Sequence, residues 1–211
     1  MADDAKAVKT GIKSYDFKGG KMMGQYPNAG EGIKKVFIGE ILAVVGALLS
    51  WIPLVGALII IAGFVLTLMG LKKAGEDQQD YNKAVTLILI NIVVSVLGAI
   101  LGFIPAIGGI LSTLASIAST VITLLVVYQV IMTSNGLLDS IGAADISGKG
   151  KTVWGLYLVC NIIGIICSIL NKIPLINILS GVISFIVGIV SLVAGIMYLI
   201  YLNKTSKALG A

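Results

Sequence analysis

An all-α integral membrane protein, with six transmembrane helices arranged as three tandem helical hairpins, is the fold class predicted by this 211-residue chain. Three observations carry it. The chain is 57% hydrophobic and 12% charged, with a mean hydropathy of +1.04, where a soluble domain carries about 25% charged residues. Three long blocks are nearly free of charge, and each is broken near its centre by an Ile-Pro step. All fifteen basic residues are lysines, and fourteen of them lie outside the blocks or at their edges.

In chain order, residues 1–35 form a polar cytoplasmic N-terminal arm with seven lysines and four acids. The arm has no short apolar core followed by a small-residue cleavage site, as a secretory signal would. Tyr15, Phe17, Met22, Met23 and Tyr26, interspersed with Lys13, Lys18 and Lys21, suit either contact with anionic lipid or solvated disorder. Hairpin repeat 1 occupies 36–71 and hairpin repeat 2 occupies 84–132. A cytoplasmic loop follows at 133–151, with Leu137–Ile146 as a short interfacial helix. Hairpin repeat 3 occupies 152–202, and 203–211 is a cytoplasmic tail. A single span needs about 20 apolar residues, so each block is too long for one crossing and suits two. Trp51-Ile52-Pro53, Phe103-Ile104-Pro105 and Lys172-Ile173-Pro174 mark the turns. Proline biases the residue before it away from helix and is favoured in a first helical turn, so Pro53, Pro105 and Pro174 each read as a turn and a new start. Six crossings put fourteen lysines on one side and leave only Lys172 opposite, which places both termini in the cytoplasm. Three wedges that dip in and return give the same parity.

Aligning the blocks on their prolines exposes a threefold internal repeat. Val45–Pro53 matches Leu97–Pro105, and the third copy is Ile166–Pro174. Downstream of each proline, steps of three and four select one helix face: Gly56, Ile60, Gly63, Thr67 and Gly70; then Gly108, Ser112, Ala115, Ser119 and Ile122; then Asn177, Gly181, Ser184, Gly188 and Ser191. Twelve of these fifteen are Gly, Ala, Ser or Thr, too regular for a helix that is merely glycine-rich. Upstream arms carry a matching stripe that includes Gly39, Gly46, Gly98, Gly102, Gly164, Cys160 and Cys167. In lipid, small residues let backbones approach and hold helices together, so both arms of every hairpin are expected to pack along these seams.

Polar residues recur near the start of each first arm: Glu40, Asn91 and Asn161. An intramembrane ionisable group is a functional candidate by default, although Glu40 also suits headgroup contact near Lys34 and Lys35 or a capping role. Packed about a threefold axis, the three would form one polar ring. The aromatics Phe37, Tyr81, Trp154, Tyr157, Tyr198 and Tyr201 toward the lysine side, and Trp51 and Phe103 at the opposite turns, read as interfacial belts.

Absences exclude whole classes. Without histidine no Ser-His-Asp or Cys-His system forms, and the two cysteines cannot build a usual zinc site. Cys160 and Cys167 share a helix face but are separated by about 10 Å of rise, too far to pair. There is no arginine fork, P-loop or dinucleotide fingerprint, so no cofactor and no metal are expected. The lysines flank apolar runs, which argues for a lipid bilayer as partner and against nucleic acid.

The pattern small-small-Leu/Ile-Leu-x-x-Ile-Pro, a second apolar arm, then Gly-Leu-Lys-Lys at 70–73 resembles small uncharacterised bacterial multipass membrane proteins built of Gly-rich Ile-Pro helical hairpins. The resemblance covers about residues 36–211 and implies an inner-membrane protein, with no catalytic residue to transfer. The plan is also similar to that of mitochondrial carriers, but their Pro-x-Asp/Glu-x-x-Lys/Arg signature is missing: Leu-Val-Gly, Ala-Ile-Gly and Leu-Ile-Asn follow the three prolines. The expected function is therefore non-enzymatic: a structural or accessory role in membrane organisation or assembly, with a homo-oligomer or membrane-protein partner. The alternative is a small-solute transporter or channel using Glu40, Asn91 and Asn161.

Overall fold

The structure, a computed structural model, describes residues 25–105, 107–170 and 177–211. Pro174, Lys172 and Asn171 lie outside them, as does the N-terminal arm up to residue 24. Every regular element among the described residues is helical: α1 Pro27–Leu48, α2 Pro53–Ala74, α3 Tyr81–Leu101, α4 Gly108–Ser140, α5 Ala144–Leu170 and α6 Asn177–Leu209. Five of them, α2 to α6, are long and apolar enough to cross a membrane. α1 carries Glu31, Lys34, Lys35 and Glu40 within its 22 residues and falls outside that set by charge. It nevertheless packs along the length of α2, through contacts from Gly32 with Gly70 to Gly46 with Gly56. Consecutive helices pack as α1 with α2, α3 with α4 and α5 with α6, and α6 returns against α1 to close the circuit.

The turns follow local chemistry. α1 stops at Leu48, three tight backbone bonds carry the chain through Leu49–Ile52, and Pro53 opens α2, where its missing N–H leaves nothing unsatisfied. Pro105 departs slightly from expectation: it stands within its turn, and α4 begins at Gly108. The exposed Trp51 (76%) and Phe103 (87%) at these turns are placed as interfacial aromatics would be.

At the other end the sequence reading needs correction in three places. α1 begins at Pro27, nine residues inside the expected polar arm. The expected loop 133–151 is helical except for Ile141–Ala143, so Leu137–Ile146 is no separate interfacial helix but the corner between α4 and α5. Gly142 turns that corner at φ +74, a conformation that glycine adopts without steric cost, and Ala143 N donates to Leu138 O at 2.8 Å. The expected tail 203–211 continues α6 to Leu209. α4 and α6, at 33 residues each, run about 50 Å, longer than the hydrocarbon core of about 30 Å.

The overhanging turns have a purpose: they build the core. Ala29, Ile33, Leu71, Ala74, Tyr81, Ile131, Leu138, Tyr201, Leu202 and Leu209 are all fully or almost fully buried, and all lie at the lysine-rich end. Tyr81, Tyr198 and Tyr201, expected as interfacial anchors, are instead core side chains. Tyr81 Oη lies 2.8 Å from Ser134 Oγ. Tyr201 Oη donates to Asn135 Oδ1 at 2.8 Å and lies 3.3 Å from Ile131 O. α5 joins this knot by backbone, since a Cβ on Gly150 would meet Asn135 Oδ1 at 2.6 Å and Tyr201 Cε2 at 2.7 Å. Asp77, in the α2–α3 turn, accepts from Asn28 Nδ2 at 2.9 Å and from Ala29 N at 2.8 Å. It thereby satisfies an orphan donor at the positive end of α1. Tyr26 N donates to Leu209 O at 3.3 Å, tying the start of α1 to the end of α6.

Removing the Tyr201 hydroxyl should therefore expose how much the base depends on it. Tyr201→Phe leaves Asn135 Oδ1 buried without a partner, where Asn135 Nδ2 already has none. We expect a loss of about 1–3 kcal/mol, read as a lowered midpoint in thermal unfolding of the detergent-solubilised protein.

Candidate functional site

Away from the base, the three helix pairs solve the same packing problem in three ways. The first pair is closed by glycine. Gly32 faces Gly70, Gly39 faces Gly63 and Gly46 faces Gly56, an antiparallel register with a seven-residue repeat on each helix. A Cβ on Gly63 would meet Gly39 O at 2.5 Å, and one on Gly70 would meet Gly32 O at 2.5 Å. The helices thus touch backbone to backbone, which only glycine permits.

The second pair is closed by small side chains and hydroxyls. Asn91 Nδ2 donates to Thr123 Oγ1 at 3.1 Å, Ser95 and Ser119 meet at 3.4 Å, and a Cβ on Gly98 would meet Ala115 Cβ at 2.5 Å. Gly102 stands opposite Ser112 at ordinary contact distance. Asn91 pairs with Thr123 rather than with Ile122, the position in the expected stripe.

The third pair is not closed. Among the described residues a Cβ on Gly164, Gly181 or Gly188 would meet nothing within 4 Å, so Gly181 and Gly188, expected as packing residues, make no close helix contact there. Instead Ser184, Gly188 and Ser191 of α6 share a groove of about 760 Å³ with residues of α4 and α5, Ser112, Ser116, Asn161 and Ser168 among them. Its hydroxyls are largely turned to their own helices: Thr113 donates to Gly109 O at 2.7 Å, Thr120 to Ser116 O at 2.9 Å and Ser168 to Gly164 O at 2.9 Å. Their oxygen lone pairs remain for the groove. Cys160 and Cys167 are buried free thiols.

The expected polar ring divides between two places. Glu40 and Asn91 line one cavity of about 430 Å³ with Thr67, between the first and second pairs. Asn161 lines the hydroxyl groove instead, its Nδ2 donating to Tyr157 O at 2.7 Å. Glu40 sits in mid-helix, so it caps nothing. Among the described residues it has no ion-pair partner. Lys35 is committed to Glu31, 3.0 Å away, whose carboxyl it holds below its ordinary range by a hydrogen bond and by its charge. The Asn91 Oδ1 is buried with no hydrogen-bond partner.

Sequence reading missed Gly32, Thr123 and the Asn135–Tyr201 knot. Gly32 had a usable signal, seven residues before Gly39, hidden by the polar residues around it. Asn135 had none, because its partner lies 66 positions away. No protein-family model, curated protein or solved structure matches this chain.

The contrast between seams is testable at matched chemistry. Gly63→Leu forces side-chain atoms into the Gly39 backbone and should destabilise by about 3 kcal/mol or more. Gly188→Leu meets open space and should change stability by no more than about 0.5 kcal/mol. Thermal unfolding of the two variants in one detergent reads the difference.

Proposed function

We propose that this chain is a non-enzymatic multipass protein of the inner membrane, built of three tandem copies of one hairpin, that organises or assembles membrane components through its third seam. The observation that carries this reading is the open face at Gly164, Gly181 and Gly188. The first seam is consumed within its own pair, and the second nearly so. A small-residue face left free at membrane depth offers a partner helix the close backbone approach by which helices associate in lipid. The partner is a second copy of the chain or the small-residue face of another membrane protein. Lysines around the packed base favour a cytoplasmic orientation for that end, with both termini there. The shared three-and-four register in the first two pairs supports descent of the hairpins from one unit.

A second reading, a small-solute transporter or channel, is favoured by the hydroxyl-lined groove of about 760 Å³, which carries oxygen acceptors and no charge.

Both readings make Gly188 informative. Full-length protein carrying donor or acceptor dyes is reconstituted in vesicles, and energy transfer reports self-association, while co-purification reports other membrane partners. Under the first reading the Gly181→Leu/Gly188→Leu variant keeps its unfolding midpoint and loses association at least tenfold. Unchanged association, or none with the unaltered chain, overturns it. Glycerol entry into the same vesicles that the variant abolishes would establish the second reading.

A further inference from the structure

The cavity between the first and second helix pairs carries an inference that goes beyond assembly and uses a different part of the molecule. α2 and α3 touch sparingly, and the space left between the pairs is walled mainly by apolar side chains, Phe64, Ile88, Ile92 and Val126 among them. Into this wall are set Glu40, which has no ion-pair partner among the described residues, and Asn91, whose Oδ1 is buried without a hydrogen bond.

The orientation of the Asn91 amide follows from its neighbour. Thr123 has one hydroxyl hydrogen, and it is given to Ser119 O at 2.9 Å. Toward Asn91 the hydroxyl can only accept, so the amide must present its NH₂ there, at 3.1 Å, and its oxygen away. A carboxylate is likewise an acceptor when ionised. Among the described residues the cavity's lining thus combines the Glu40 carboxylate, the Asn91 amide and the hydroxyls of Thr67, Ser95 and Thr123 with apolar walls, and includes no cation. Buried acceptors normally find a partner, and a carboxylate in a low-dielectric setting favours a positive one.

Size and walls decide which cation. A hard metal ion takes six or more oxygen ligands, whereas five oxygen-bearing side chains line this space of about 430 Å³, Glu40, Thr67, Asn91, Ser95 and Thr123, and the last two are engaged within the second pair. That volume falls in the range of small-molecule pockets. We propose that this cavity binds an organic ammonium ion with an apolar body. Its N–H groups donate to the Glu40 carboxylate, Asn91 adds its amide to the same wall, and its body lies against Phe64, Ile88 and Ile92. Phe64 adds a ring face able to attract the charge.

The test uses the full chain in phosphatidylcholine nanodiscs, with radiolabelled phenethylammonium as probe in equilibrium binding. One saturable site per chain is expected. Glu40→Gln should weaken binding at least tenfold and Asn91→Leu at least threefold, while Ser184→Ala, in the other groove, leaves it unchanged. Two competitors probe the unaltered protein, so the outcome does not hinge on how a variant folds. The neutral 2-phenylethanol should compete at least tenfold more weakly than unlabelled phenethylammonium. The N-trimethylated cation, which keeps the charge but has no N–H, should fall between them. Absence of saturable binding overturns the proposal, as does binding indifferent to both Glu40→Gln and Asn91→Leu. Equal competition by 2-phenylethanol also overturns it, because the cavity would then be an apolar pocket for uncharged or lipid-like occupants. Failure here leaves the assembly reading standing, since that depends on Gly181 and Gly188.

Discussion

The Tyr201 hydroxyl reaches from α6 to Asn135 Oδ1 and the Ile131 carbonyl of α4, beside the place where the α5 backbone comes in at Gly150. Three helices from two pairs meet there, and Tyr81 brings α3 in through Ser134. The rest of the structure depends on this knot because of where it lies. In hydrocarbon, bringing apolar helices together gains little, since lipid tails are as apolar as leucine. At the lysine-rich end, where the chain carries its charges, burial of Ile33, Leu71, Leu138 and Leu202 draws on the hydrophobic effect at about 25 cal/mol per Å². The base is thus the one region where ordinary core formation can gather six helices. Its cost is a set of buried polar groups, and Asn135 Nδ2 and Thr205 Oγ1 are left without partners.

Beyond the base each pair must find its own means of cohesion, and the three means form a series. Glycine faces glycine in the first pair. Hydroxyls and an amide bridge the second. In the third the small residues stand open and share a groove with α4. The two cavities follow from this series. Where pairs are held at the base but not zipped to one another, gaps remain between them. Each gap takes its chemistry from the stripes that face it: mostly hydroxyls in one, and a carboxylate, an amide and three hydroxyls in the other. The function proposed for the third seam and the ligand proposed for the Glu40 cavity thus arise from one cause, the concentration of cohesion between pairs at one end.

Much of this was legible residue by residue. The turns after Leu48 and Leu101 were announced by Pro53 and Pro105, because proline acts on its own neighbours. The glycines of the first seam were announced by their spacing, because helical periodicity fixes which residues share a face. Tyr81, Tyr198 and Tyr201 were misjudged for the opposite reason. An aromatic near a lysine-rich boundary has the same local signature whether it faces headgroups or a core, and only the arrival of Ser134 and Asn135 from elsewhere in the chain distinguishes the two. The segments 133–151 and 203–211 looked like loop and tail because they are polar, yet Thr133, Ser134, Asn135, Ser147, Thr205 and Ser206 are buried inside a helical base.

The amino-acid sequence by itself determined the class of long apolar helices, the positions of the turns at Pro53 and Pro105 and the face on which each helix carries its small residues. Hydropathy, proline stereochemistry and the 3.6-residue repeat are properties of a segment considered alone. Only the tertiary structure decided which seams close and which stay open, and that Asn161 stands apart from Glu40 and Asn91. It also decided that the Asn91 oxygen is buried without a hydrogen bond and that Asn91 lines the same cavity as Glu40. Those outcomes depend on which surfaces meet, and on a single hydroxyl hydrogen of Thr123 already given to Ser119, neither of which any stretch of sequence contains.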